Sequence, residues 1–140
     1  VYYNNRTLRL IIPCGGEKME AEFDPNIPIY IQIMNTIKMK IISEELKPED
    51  KLSSVREMSV KLKVNPNTIQ RAYQELERQG ITYKKRGMGT FVSGDISMIE
   101  RLKEEMADDI LRVFIKGMKD LGFSPEEIVE AVKENIQEDI

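Results

Sequence analysis

The chain has 140 residues, a formal net charge of −3 and no histidine, which bounds it to one or two small domains and removes imidazole-based acid–base or nucleophilic chemistry. Its one cysteine, Cys14, allows neither an internal disulfide nor a zinc-binding thiol spacing, and no Gly-x-x-x-x-Gly-Lys loop is present to cradle phosphate. The expectation is a protein that is not an enzyme, with no catalytic residue, no metal and no cofactor.

Residues 1–22 begin with Val and contain Leu8-Arg9-Leu10-Ile11-Ile12 followed by Pro13-Cys14-Gly15-Gly16, a candidate strand and turn. Met19 then opens a stretch that looks like a natural start, so 1–22 reads as a leader whose native status the sequence leaves open. Its apolar run is too short for a signal or a membrane span. With no targeting segment and no membrane partner in view, a cytoplasmic location is expected.

Residues 27–46 carry Ile29, Ile33, Ile37 and Ile41 at four-residue spacing, with Pro28 at the start and Lys47-Pro48-Glu49-Asp50 as the stop, which predicts a first core helix. A short helix over 55–62 follows. Ser54 caps it through its hydroxyl, Glu57 reaches back to the cap amide, and Val55, Met58 and Leu62 share one face. Asn65 caps a third helix with Pro66 at its first position, where the missing N–H costs nothing, and Gly80 ends it. Only Lys63-Val64-Asn65 separates these two helices, so the chain must turn sharply, as in a helix-turn-helix.

The third helix divides cleanly. Ile69, Ala72, Tyr73 and Leu76 form its inward face, while Asn65, Asn67, Thr68 and Arg71 occupy the first turn and a half, the part of a recognition helix that meets base edges and phosphates. Alone, that pattern also fits an ordinary capped helix with a solvated front. The next segment decides: residues 81–92 alternate into two short strands around Lys84-Lys85-Arg86-Gly87-Met88-Gly89, a glycine-tipped basic hairpin whose cations need an anionic partner such as a DNA groove. The plainer reading of such a hairpin, an edge strand protected against aggregation, is outweighed by the helix pair that precedes it.

Charge distribution agrees. From 51 to 86, Lys51, Arg56, Lys61, Lys63, Arg71, Arg78, Lys84, Lys85 and Arg86 outnumber Glu57, Glu75 and Glu77, whereas beyond Asp95 carboxylates outnumber cations. Phosphate attracts the basic middle and repels the acidic end.

These motifs carry a resemblance. Residues 24–95 resemble the DNA-binding domain of the GntR family of bacterial transcription regulators, whose pattern runs Leu-Pro-Ser-x-Arg-x-Leu, Val-x-x-x-Thr, Arg-Gly-x-Gly-Thr-Phe-Val. Phe23-Asp24-Pro25-Asn26-Ile27-Pro28-Ile29-Tyr30-Ile31-Gln32-Ile33 and Val64-Asn65-Pro66-Asn67-Thr68 look like its YtrA subfamily, which carries only a short helical tail. The resemblance implies DNA contacts at Ser54, Arg56, Asn65, Asn67, Thr68, Gln70, Arg71, Arg86 and Gly87, to which the wing cations Lys84 and Lys85 are added. Departures are Ser53 for the family's Pro, Glu49 for a turn Gly, Lys63 for a frequent Gly, and Pro66 and Gln70 where many members hold Arg. Arg71 stands ready to compensate for the missing arginines.

In the tail, Ile96, Ile99, Leu102, Met106, Ile110, Val113 and Leu121 trace an apolar stripe. Ser124-Pro125-Glu126-Glu127 then opens a second helix with Ile128, Val129, Val132 and Ile136 expected inward. Two helices cannot bury so much apolar surface alone. A homodimer is therefore expected through Ile99, Leu102, Met106, Ile110, Val113 and Phe114.

The resulting expectation is a mainly α fold with a small β-wing: a winged helix-turn-helix over 23–94 followed by a two-helix dimerisation tail over 95–140. Its function would be sequence-specific binding of double-stranded DNA at a palindromic operator, as a dimeric repressor of a nearby operon, one encoding a transporter being the type the resemblance suggests, under an unknown small-molecule effector. The alternative is a winged-helix adaptor that binds proteins without specific DNA binding.

Overall fold

The structure, a computed structural model, describes residues 23–138; the leader, with its expected strand and turn, lies outside them. Helix α1 spans Ile29–Ile42 and starts without a capping side chain at Pro28. Gln32 organises the approach instead: its Oε1 accepts the Asp24 N–H at 2.8 Å, and its Nε2 donates to the carbonyls of Asp24 and Ile27 at 2.9 and 2.7 Å. Satisfied in this way, an amide can be buried without the usual penalty.

Of the α1 isoleucines, Ile33, Ile37 and Ile41 are buried with Met34, but Ile29 is 39% exposed. A four-residue step overshoots a helical turn by about 40°, so a strict stripe of fours drifts off the buried face at one end. The expected start at residue 27 and end at 46 shorten accordingly.

Helix α2 (Val55–Leu62) has the expected capping box: the Glu57 N–H donates to Ser54 Oγ at 3.1 Å and the Ser54 N–H to Glu57 Oε2 at 3.2 Å. Lys63 then takes φ +53° and turns the chain into helix α3 (Pro66–Arg78), which is capped by Asn65. The turn is closed by Ser59, whose hydroxyl donates to the Val64 carbonyl at 2.6 Å. Glu49 is also left-handed, at φ +71°. The two positions where this chain replaces a usual glycine are thus positions of positive φ, held by residues for which that conformation is strained.

Helix α3 is the centre of the first unit, packed by α1, α2 and strand β1 (Thr82–Lys85). Ile69, Ala72 and Leu76 have no exposure and Tyr73 has 3%, worth about 1.5–3 kcal/mol for each large side chain removed from water. Strand β1 pairs antiparallel with β2 (Gly89–Val92), with Tyr83 opposite Phe91 and Lys85 opposite Gly89. The segment before α2 adds itself to the other edge of β2. Glu49 N–H donates to the Val92 carbonyl, Val92 N–H to the Asp50 carbonyl and Leu52 N–H to the Thr90 carbonyl, at 2.8–3.0 Å, with a bridge between Lys51 and Phe91.

Helix α4 (Ile96–Asp120) is capped by Asp95, whose Oδ1 accepts from the Ser97 hydroxyl, the Ser97 N–H and the Met98 N–H. The Ser97 hydroxyl bond and the Met98 amide hold this carboxyl below its ordinary value. Helix α5 (Pro125–Glu138) opens on its expected capping box, Glu127 N–H to Ser124 Oγ at 3.2 Å.

Two compact units divide at Lys103 and Glu104, inside α4, and not at Gly94. The first two turns of α4 belong to the first unit, and there Met98 and Leu102 are 6% and 4% exposed. Leu102 is therefore corrected as a candidate dimer contact, because its side chain is already covered within a single chain. In the second unit the expected inward face of α5 reduces to Ile128; Val129 and Ile136 are 54% and 58% exposed and Val132 is at the surface. A pair of helices has too little facing area to cover both stripes.

Candidate nucleic-acid interface

The exposed side of α3 begins at its cap. Asn65 Oδ1 accepts the Asn67 N–H at 2.9 Å, so the carbonyl end of this amide is committed to the helix and only its Nδ2 donors remain for a base or phosphate. Asn67, Gln70 and Arg71 are exposed, Thr68 is half-buried, and Ile69, Ala72 and Tyr73 fill the opposite side. Asn67 and Arg71, four residues apart, stand on one face. The positive end of the helix macrodipole lies behind them and favours an anion.

At the start of α2, Ser54 and Arg56 are exposed. Ser54 Oγ serves as an acceptor inside the helix cap while its own O–H stays available to donate. The residue before it, Ser53, stands where the family has a stiffening proline, and of its two hydrogen bonds only the one at Oγ is beyond a proline. Its carbonyl accepts the Tyr73 O–H at 2.6 Å and its Oγ accepts from Lys61 Nζ at 3.1 Å. Burial, and after it the nearby Glu57 charge, push the Tyr73 phenol up to about 12.

The wing separates its cations. Lys84 Nζ lies 3.7 Å from Glu77 Oε2 of α3, so this charge is partly answered within the protein. Lys85 Nζ sits over the Phe91 ring at 4.6 Å and the Tyr83 ring at 5.7 Å, on an aromatic pair whose centroids are 6.0 Å apart. Arg86 occupies the hairpin tip, exposed, and among the described residues it forms no ion pair. The tip is made possible by Gly87 and Gly89 at φ +78° and +118°; any side chain at Gly89 would also press on the Lys51 stem, 2.9 Å from the position of a Cβ.

Tyr30 in α1 and Glu49 in the loop before α2 border this surface, although sequence reasoning assigned neither of them a part in DNA contact. The Arg71 guanidinium lies over the Tyr30 ring, 4.0 Å from its centroid. Glu49 accepts a hydrogen bond from the Tyr83 hydroxyl and raises its pKa. The aromatic character and helix position of Tyr30 were visible in the sequence, but nothing local pairs it with Arg71.

Residues 29–92 match the family described as "Bacterial regulatory proteins, gntR family". The chain is 45% identical over 115 residues to the "Uncharacterized HTH-type transcriptional regulator YhcF" of Bacillus subtilis, covering 82% of this chain and 95% of that protein. It is 41% identical over 99 residues to the "HTH-type transcriptional repressor YtrA" of the same organism, covering 62% and 76%. Among solved structures, a "GntR family transcriptional regulator from Listeria monocytogenes" superposes with TM-score 0.74 at 44% identity, over 80% of this chain and 98% of that one. The chain belongs to the gntR family of bacterial regulatory proteins, and its winged helix is that family's DNA-binding domain.

Proposed function

We propose that this regulator is a homodimeric repressor that reads a palindromic operator, the first turns of α3 in the major groove and the wing tip against the minor groove or its phosphates. One observation carries the reading: Asn67, Gln70 and Arg71 are exposed on a helix whose opposite face is sealed in the core, and the chain continues directly into a hairpin tipped by Arg86. Ser54, Arg56, Asn65, Thr68 and Gly87 complete the contact surface, with Lys84 and Lys85 holding phosphate without reading bases.

Dimerisation is assigned to Met106, Ile110, Val113 and Phe114 of the second unit, joined by the half-buried Ile99 of the first. Exposed Leu111 and Ile115 on the same helix, with Leu121 in the turn just after it, support this assignment, since apolar surface of that extent usually marks a protein contact. A two-fold dimer matches a two-fold operator. Repression follows from occupying promoter DNA and excluding polymerase, and similarity to a protein named as a repressor supports that sign. The regulated genes would be a nearby operon, and an effector would act by shifting the angle between the two DNA-binding units.

The test is selection of duplexes from a randomised pool by the full chain, followed by fluorescence anisotropy at several salt concentrations. A recurrent inverted repeat whose binding falls steeply with salt is expected. A pool that yields no repeat would overturn the reading.

A further inference from the structure

We infer that Tyr30 is a positioning residue for DNA recognition: its ring fixes the Arg71 guanidinium on the outer face of α3 while leaving its charge and its N–H donors free. This rests on the DNA-binding reading above and extends it to a residue outside the helix-turn-helix motif and the wing.

The argument starts from the alternatives open to an exposed helical arginine. Glu75, four residues after Arg71, is its natural helical partner, yet the Glu75 carboxylate is turned to Arg78, whose Nε and Nη2 both donate to Oε2 at 2.9 and 2.8 Å. Arg78 is thereby both restrained and neutralised. Arg71 is restrained differently, over the face of Tyr30 at 4.0 Å from the centroid, and among the described residues it forms no ion pair.

An aromatic face attracts the cation through the ring quadrupole and accepts no hydrogen bond in the guanidinium plane. The fork of donors stays available for a guanine edge or a phosphate, and much of the side-chain entropy is surrendered before DNA arrives. The location suits the task. Tyr30 lies in the first turn of α1, a helix that packs directly against α3 and is anchored at its start by buried Gln32, so the platform is rigid relative to the helix it serves.

The experiment is a double-mutant cycle on the full chain, read by anisotropy against a duplex selected from a randomised pool by the wild type. Tyr30→Leu should weaken binding by about two- to fivefold for each protomer engaged, the cost of ordering one long side chain only when DNA binds, whereas Tyr30→Phe keeps the ring and should bind as the wild type does. In an Arg71→Ala background Tyr30→Leu should have no further effect. An equal loss in that background, or a loss in Tyr30→Phe, would show Tyr30 acting by itself and overturn the inference. Should Tyr30→Leu lose its thermal transition, the Arg71 side-chain protons in wild type and Tyr30→Phe decide the matter by NMR: ring-current shifts in both are expected, and their absence sinks the proposal. A wild type that selects no duplex defeats the DNA-binding reading first and this inference with it.

Discussion

The Tyr73 hydroxyl donates to the backbone carbonyl of Ser53 at 2.6 Å, tying the middle of the recognition helix to the peptide that leads into α2. Tyr73→Phe should therefore lower stability by about 1 kcal/mol, the net value of one hydrogen bond whose acceptor is left unpaired. The pH dependence has a definite sign. Because the folded phenol titrates at about 12 against an ordinary 10.0, its contribution is complete below pH 10.0 and is lost as pH rises through about 12. Urea melts of wild type and Tyr73→Phe across that range should converge, and a constant gap would contradict the burial account.

Lys63 at φ +53° stores strain that glycine does not have. Lys63→Gly should stabilise by about 0.5–1 kcal/mol, since relief of left-handed strain of about 1–2 kcal/mol exceeds the added entropy of the unfolded chain. Lys63→Val should destabilise. Chemical denaturation midpoints at constant m-value check both directions.

Arg71→Ala and Arg86→Ala should each weaken operator binding by about 1–3 kcal/mol while staying folded, Arg86→Ala with an unchanged thermal midpoint and Arg71→Ala with a slightly lower one for the lost Tyr30 contact. Unchanged operator affinity in both variants would remove the proposed docking surface.

Replacing Lys84 and Lys85 with Ala should weaken operator and random DNA alike and flatten the log–log salt slope by roughly 0.9 for each phosphate no longer neutralised. The Glu77 carboxylate beside Lys84 adds an internal control: Glu77→Gln should strengthen binding to both DNAs. Weakening confined to the operator in the lysine variant would assign these residues to base reading instead.

A chain ending after Lys103 should fold, scatter light as a monomer and bind the full operator more weakly by about 10²–10⁴, the effective-concentration gain that a tethered second half supplies. A chain ending after Gly94 should be less stable than that, since it lacks buried Met98 and Leu102. A dimeric 1–103 fragment would move the interface out of the acidic helices.

What the sequence made legible was local. The Ser54–Glu57 box, the Asn65–Pro66 start and the Gly87–Gly89 tip each depend on residues a few positions apart, where backbone geometry leaves little choice. Pairings across the fold were not legible: Arg71 on Tyr30, Lys84 beside Glu77, Tyr73 on Ser53 and residues 49–52 along β2 bring together segments whose separation no periodicity encodes. Leu102 shows the same boundary from another side. Helical spacing marked it as apolar-facing correctly, but spacing cannot say whether the covering surface comes from its own chain or from another.

The pairing of residues 49–52 with β2 has a mechanical consequence. One strand of the wing runs on from α3 through Ile81, and the other is stitched to the peptide that enters α2, so the hairpin is fastened at both roots to the two helices of the DNA-reading motif. A wing so held cannot swing without dragging the recognition helix along. Under the dimeric reading proposed above, a signal would then act on the distance and angle between two such units and not on the wing itself.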